Sequence, residues 1–155
     1  MSHVVVDASV AAKWVLNEPD SEAARRIFER GPLLVPDLLW AELGSLLWRR
    51  QRVGEFSVAD ARMMLLDLRK LPVKSYAINP LLPLAFEIAL AIDHSVYDCV
   101  YLALADRENC RVVTARSALA QCGRLWSVGP VGHIAGRAEL KPARRRGDDQ
   151  SAICR

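Results

Sequence analysis

Residues 3–10 read HVVVDASV, and this stretch decides the fold class. Val4, Val5 and Val6 are three β-branched residues in a row, the pattern of a short strand covered on both faces, as in a parallel sheet. Asp7 closes the run. Ala8 to Leu16 then carries helical spacing with neither Gly nor Pro to break it. In open α/β sheets ligands sit beyond the carboxyl ends of the strands, so an acid at the end of a first strand stands where chemistry is done. Asp is also a favoured N-cap, so Asp7 could equally serve only the helix that follows.

The pattern repeats along the chain. Asn17 to Asp20 is a turn, and Ser21 to Arg30 reads as a polar helix ending at Gly31-Pro32. Leu33 to Val35 is a short buried strand stopped by Pro36. Asp37 is the expected N-cap of a helix reaching Arg52, closed by Val53-Gly54, with Leu38, Leu39, Leu43, Leu46 and Leu47 on its apolar side. Ser57 and Asp60 make a capping box in which Asp replaces the usual Glu or Gln, and that helix runs to Lys70 before Pro72. Val73 to Tyr76 is a strand, Leu81 to Ile92 and Ser95 to Arg107 are helices, and Arg111 to Thr114 is a strand. A short helix from Ser117 to Gln121 and a strand from Leu125 to Val128 complete the series. Strands alternating with helices predict an α/β chain, a three-layer α/β/α sandwich on a mainly parallel sheet.

Composition agrees with this and narrows the class. The 155 residues are 52% hydrophobic and 25% charged, ordinary for a globular protein, and suffice for one domain over residues 1–135. Residues 136–155 turn basic at Lys141, Arg144, Arg145 and Arg146 and lose their large apolar side chains, which predicts a disordered tail. A formal net charge of +3 permits a phosphate-rich partner without requiring one. Cys99, Cys110, Cys122 and Cys154 form no C-x-x-C pair, so neither zinc nor a redox motif is expected. No run approaches the ~18 apolar residues of a membrane span, and no secretory signal precedes the domain, so a cytoplasmic protein with reduced thiols and no membrane contact is expected.

Two further acids stand where the pattern asks for apolar residues. Glu42 lies three or four positions from Leu38, Leu39 and Leu46, inside the apolar stripe of its helix. Asp98 has Tyr101, Leu102 and Ala105 at i+3, i+4 and i+7, on a helix apolar nearly all round. Buried carboxylates need a cation, and if Asp7, Glu42 and Asp98 converge they offer the hard oxygen ligands that Mg2+ or Mn2+ takes. Such an ion stabilises charge on a phosphodiester and lowers the pKa of an attacking water, which points to hydrolysis of nucleic acid. Each acid has a plainer role beside this one: Glu42 could pair with Arg49, and Asp98 could cap its helix. Glu87 falls at the boundary of its apolar face, Asp93 and Asp106 at helix ends, and His94 and His133 show no ligand spacing and read as solvated.

VVVDASV, PDLLWAELGSLLWR, SVYDCVYLALA and VVTARSAL together resemble the four motif blocks of PIN-domain ribonucleases, above all the VapC-like toxins of toxin–antitoxin pairs. The resemblance spans residues 3 to 130 in order and spacing. It implies a PIN-like α/β/α fold, a Mg2+- or Mn2+-dependent endoribonuclease with RNA as substrate, a homodimer and a cognate antitoxin. It places the acidic metal ligands and catalytic residues on Asp7, Glu42 and Asp98, with Ser9 and Thr114 as supporting polar positions. The helices Ala8 to Leu16 and Asp37 to Arg52 are candidates for an antitoxin groove.

One position departs from the family pattern. The fourth block usually reads T-A-D, and here it is Thr114-Ala115-Arg116, so a cation stands where a fourth acid would help hold metal. Arg116 either clamps the scissile phosphate beside a single metal or neutralises the acids as an internal salt bridge. The second outcome would make the chain a degenerate PIN domain that binds RNA or an antitoxin without cutting. A phosphatase of the haloacid dehalogenase type, with its D-x-D first strand, fits poorly because Ser9 follows Asp7 at that spacing. If Arg116 suppresses activity, Arg116→Asp is expected to raise both RNA cleavage and Mn2+ affinity; repulsion between unit charges about 4 Å apart is worth about 1 to 4 kcal/mol. Cleavage assays and Mn2+ titration of the two proteins check this.

Overall fold

A computed structural model describes residues 3–16, 18 and 21–116. The helix expected from Ser117, the strand expected at Leu125 to Val128, the basic tail, and His133, Trp126, Cys122 and Cys154 lie outside them. Strands β1 (Val4–Val6), β2 (Leu33–Pro36), β3 (Val73–Tyr76) and β4 (Arg111–Val113) pair in parallel in the order β3-β2-β1-β4. Val5 faces Leu34 on one side and Val112 on the other. Val5 and Val6 are both fully buried, and β2 is buried along its length. Successive strand residues point to opposite faces, so layers cover both sides of the sheet. The three-layer architecture expected from β-branched runs and alternating elements is the one observed.

Among the described residues six α-helices fill those layers: α1 (Ala8–Ala11), α2 (Ser21–Arg25), α3 (Leu38–Arg52), α4 (Val58–Leu68), α5 (Leu82–Ile92) and α6 (Val96–Arg107). α6 packs along α5 on one side and against β1, β2 and β4 on the other. Cys99 to Ala105 is consequently buried at seven consecutive positions, which explains a helix that is apolar all round. α5 ends at Asp93, whose φ of 53° is left-handed, and the His94 amide returns to the Ala89 carbonyl at 3.2 Å. This break turns the chain into α6. Among the described residues no single helix is long and apolar enough to cross a membrane.

Local expectations fail in four places. The helix expected over Ala8 to Leu16 tightens into a 3-10 turn at Ala12–Trp14. There the Trp14 indole donates to the Ala24 carbonyl at 3.0 Å and its ring lies 4.7 Å from that of Phe28, anchoring the turn to the next helical segment. The segment from Ser21 likewise changes from α to 3-10 at Arg26. Pro36 does not stop β2 but occupies its final position opposite Tyr76, where the pairing resumes through Asp37 N to Tyr76 O at 2.8 Å. Asp37 does not cap α3, because its own backbone is already helical; its side chain instead accepts from the Ile78 amide at 3.0 Å. The Ser57–Asp60 capping box forms as expected.

Ile88 on α5 is fully buried in the core. Ile88→Ala is expected to lower unfolding free energy by about 2 to 5 kcal/mol in urea titrations, the range for truncating a large buried aliphatic side chain.

Candidate active site

The sheet order puts the chain's reversal point between β1 and β4. From β1 the chain steps outward to β2 and β3, then returns to the other side of β1 as β4. A crevice opens at the carboxyl ends of strands at such a point. Asp7 follows the last residue of β1, and Thr114 and Arg116 follow the last of β4. The Asp7 amide bonds to the Val113 carbonyl at 3.1 Å, which holds the two strand ends together.

Asp7 performs both roles open to it. As the N-cap of α1 its Oδ2 accepts from the Ser9 amide at 3.3 Å. The same oxygen accepts from the Ser9 hydroxyl at 2.5 Å and from the Thr114 hydroxyl at 2.9 Å. The side chain is fully buried, so a charge there requires a cation. Arg116 supplies it: Nη2 donates to Asp7 Oδ1 at 2.6 Å and Nε to Oδ2 at 3.2 Å, a two-pronged contact. The third nitrogen, Nη1, lies 3.0 Å from Asp98 Oδ1 on α6. One guanidinium thus bridges two of the three acids. Its backbone is anchored by Arg116 N to Thr114 Oγ1 at 3.0 Å, and Ala115 N donates to Ser9 Oγ at the same distance.

Glu42, half-buried on α3, receives a hydrogen bond from the Tyr101 hydroxyl on α6. It lies close enough to Asp7, Asp98 and Arg116 to feel the charge of each. Arg49, the alternative partner, is exposed on α3 and forms no ion pair with it. Burial raises the Glu42 carboxyl above its usual range; the Tyr101 hydrogen bond opposes this and the two aspartates reinforce it. At Asp7 burial also pushes upward, but the bonds from Arg116, Ser9 and Thr114 outweigh it and hold the carboxyl below its ordinary range. Two acids in one cluster are therefore driven in opposite directions.

Two contributors escaped the sequence reading. Tyr101 read as a core residue, although a buried tyrosine needs a partner for its hydroxyl, and its i+3 position from Asp98 aims that hydroxyl at the acids. His94 read as solvated, yet it is half-buried with Nε2 2.9 Å from Asp98 Oδ2. The ring nitrogen makes no hydrogen bond of acceptable direction there, so the two side chains are close without being bonded. Its i−4 spacing from Asp98 was the available signal.

The carboxylate oxygens have the chemistry that Mg2+ or Mn2+ prefers, and with Arg116 in place those of Asp7 and Asp98 are already taken. The guanidinium already stands between Asp7 and Asp98, and among the described residues no three His, Cys, Asp or Glu side chains are grouped to hold a metal.

Because the folded-state pKa of Asp7 is lowered, its contribution to stability is full above its unfolded pKa of about 4 and is lost as pH falls through the lower folded value. Asp7→Asn is expected to flatten this acid limb in urea titrations below about pH 4. At neutral pH it should cost about 1 to 3 kcal/mol, since the partly exposed Arg116 can turn to water.

Comparison with known proteins places the chain in a family. A family model described as PIN domain covers residues 4–123. Ribonuclease VapC9 of Mycobacterium tuberculosis is 36% identical over 121 residues, covering 78% of this chain and 91% of its own. Ribonuclease VapC3 of Pyrobaculum aerophilum is 35% identical over 123 residues, covering 76% and 92%. Among solved structures, PAE2754 from Pyrobaculum aerophilum superposes with a TM-score of 0.64 at 23% identity, covering 78% of this chain and 79% of that one. Mycobacterium tuberculosis VapC20, a toxin described as cleaving the sarcin-ricin loop, has a TM-score of 0.62 at 17% identity, covering 77% and 95%. With an acid at the end of its first strand, two more on the helices beside it, and these relatives along most of its length, the chain belongs to the PIN-domain family and to the VapC-like toxins within it.

Proposed function

We propose that the chain is an endoribonuclease toxin that hydrolyses RNA phosphodiester bonds at Asp7, Glu42 and Asp98. The observation that carries this reading is the cluster itself: a fully buried carboxylate at the carboxyl end of β1, with Asp98 and Glu42 close by and a cation between two of them. The names of the relatives at 35 to 36% identity support the activity. Asp7, held ionised by Arg116, Ser9 and Thr114, keeps a negative charge fixed in the crevice. Burial favours the protonated form of Glu42 whereas Asp7 is held ionised, so of these two Glu42 is the carboxyl suited to exchange a proton with water. Tyr101 orients it. Mg2+ or Mn2+ belongs to this proposal as the cation that takes the carboxylates once Arg116 has left them.

The proposal includes an antitoxin as protein partner, a homodimer and a place in the cytosol. α5 leaves Leu82, Phe86 and Leu90 exposed at i, i+4 and i+8, an apolar stripe that supports pairing of copies.

A second reading rests on the bridge made by Arg116. If the guanidinium never leaves Asp7 and Asp98, the domain binds RNA or an antitoxin without cutting. Incubating a mixed structured and single-stranded RNA pool with Mg2+, Mn2+ or EDTA, beside Asp7→Ala, separates the two. The nuclease reading expects cleavage with metal, none with EDTA, and a loss of about a hundredfold or more in Asp7→Ala. Retention of RNA by folded protein with no cutting in either metal would establish the binding reading instead.

A further inference from the structure

Arg116 contacts three of the four carboxylate oxygens of Asp7 and Asp98: Asp7 Oδ1 at 2.6 Å, Asp7 Oδ2 at 3.2 Å and Asp98 Oδ1 at 3.0 Å. These oxygens are not equivalent. Asp7 Oδ2 also takes the Ser9 amide, the Ser9 hydroxyl and the Thr114 hydroxyl, so it stays occupied whatever Arg116 does. Asp7 Oδ1 and Asp98 Oδ1 are the oxygens that the outer two guanidinium nitrogens hold. A divalent ion shared by Asp7 and Asp98 would need those same two oxygens. Two cations cannot share them, both for want of space and through Coulomb repulsion.

The arginine is built to leave. Its backbone is fixed by Thr114, whereas its side chain is 41% exposed, so the guanidinium can swing into water without opening the core. Its two partners are mostly enclosed, Asp7 at 0% and Asp98 at 15% side-chain exposure.

From this geometry we propose that Arg116 is a tethered counter-ion that closes the acid cluster and must be displaced before a divalent metal can enter. The proposal rests on the reading of Asp7, Glu42 and Asp98 as the catalytic cluster and adds to it a regulator carried by the same chain. Metal loading is then an exchange of one cation for another, and the fold is held together in the absence of metal by the arginine that the loaded form releases. Once free, the fork of donors on Arg116 has the shape to take a phosphate oxygen pair of the RNA instead.

The exchange is tested by Mn2+ binding, followed through the loss of the free-ion electron paramagnetic resonance signal, on wild type, Arg116→Ala and Arg116→Lys, each checked for folding by circular dichroism. Arg116→Ala is expected to bind Mn2+ about tenfold or more tightly than wild type, with Arg116→Lys between them. Thermal melts give a second readout with opposite signs. In EDTA Arg116→Ala should melt below wild type, and saturating Mn2+ should raise its melting temperature by more than it raises that of wild type. Equal Mn2+ affinity in wild type and Arg116→Ala would overturn the counter-ion role while leaving the nuclease reading standing. Failure of all three folded proteins to bind millimolar Mn2+, together with absence of RNA cleavage, would overturn the nuclease reading and the proposal with it.

Discussion

The charge of Asp7 is the constraint on which the centre of this molecule depends. A carboxylate with no exposure to water, at the end of a fully buried strand, is expensive unless donors and a cation surround it. The chain meets that need with a hydroxyl from α1, a hydroxyl from beyond β4 and the guanidinium of Arg116. Each of these donors arrives from an element that the parallel sheet brings to one edge. The electrostatics of the crevice and the topology of the sheet are therefore one problem with one solution.

α6 is where the core and the crevice meet. Its middle is buried at seven successive positions between α5 and the sheet, yet its first turn carries Asp98 and the next carries Tyr101, whose ring is core and whose hydroxyl reaches Glu42. Packing thus sets the position of the polar atoms to within a hydrogen bond. The left-handed residue at Asp93 fixes where α6 starts and, through His94, what lies behind Asp98.

Much of this could be read before any coordinates. The parallel sheet followed from the Val4 to Val6 run and the alternation of elements, because a strand covered on both faces has a composition that few other elements share. Glu42 and Asp98 stood out because an acid inside an apolar stripe is a local contradiction, and Asp7 because it ends a buried strand. What remained hidden depends on distant partners. That Asp37 serves Ile78 rather than α3, that Trp14 tightens its helix to reach Ala24, and that His94 backs Asp98 are decided by elements meeting in space. The bridge from Arg116 to two acids was one of two readings left open, and it is made only where β1, β4 and α6 meet.

Asp7 and Arg116 are 109 positions apart in the chain, with every described strand and helix lying between or beside them. Among the described strands β1 is made first and its neighbour β4 last, so their pairing is the longest in range within this sheet. Closure of that loop carries an entropy cost before any pairing offsets it, which slows folding. During synthesis the acid at position 7 therefore leaves the ribosome long before its counter-charge exists. A nascent or truncated chain that stops short of β4 carries all three acids and no assembled crevice, so the capacity to act arrives only with the completed sheet.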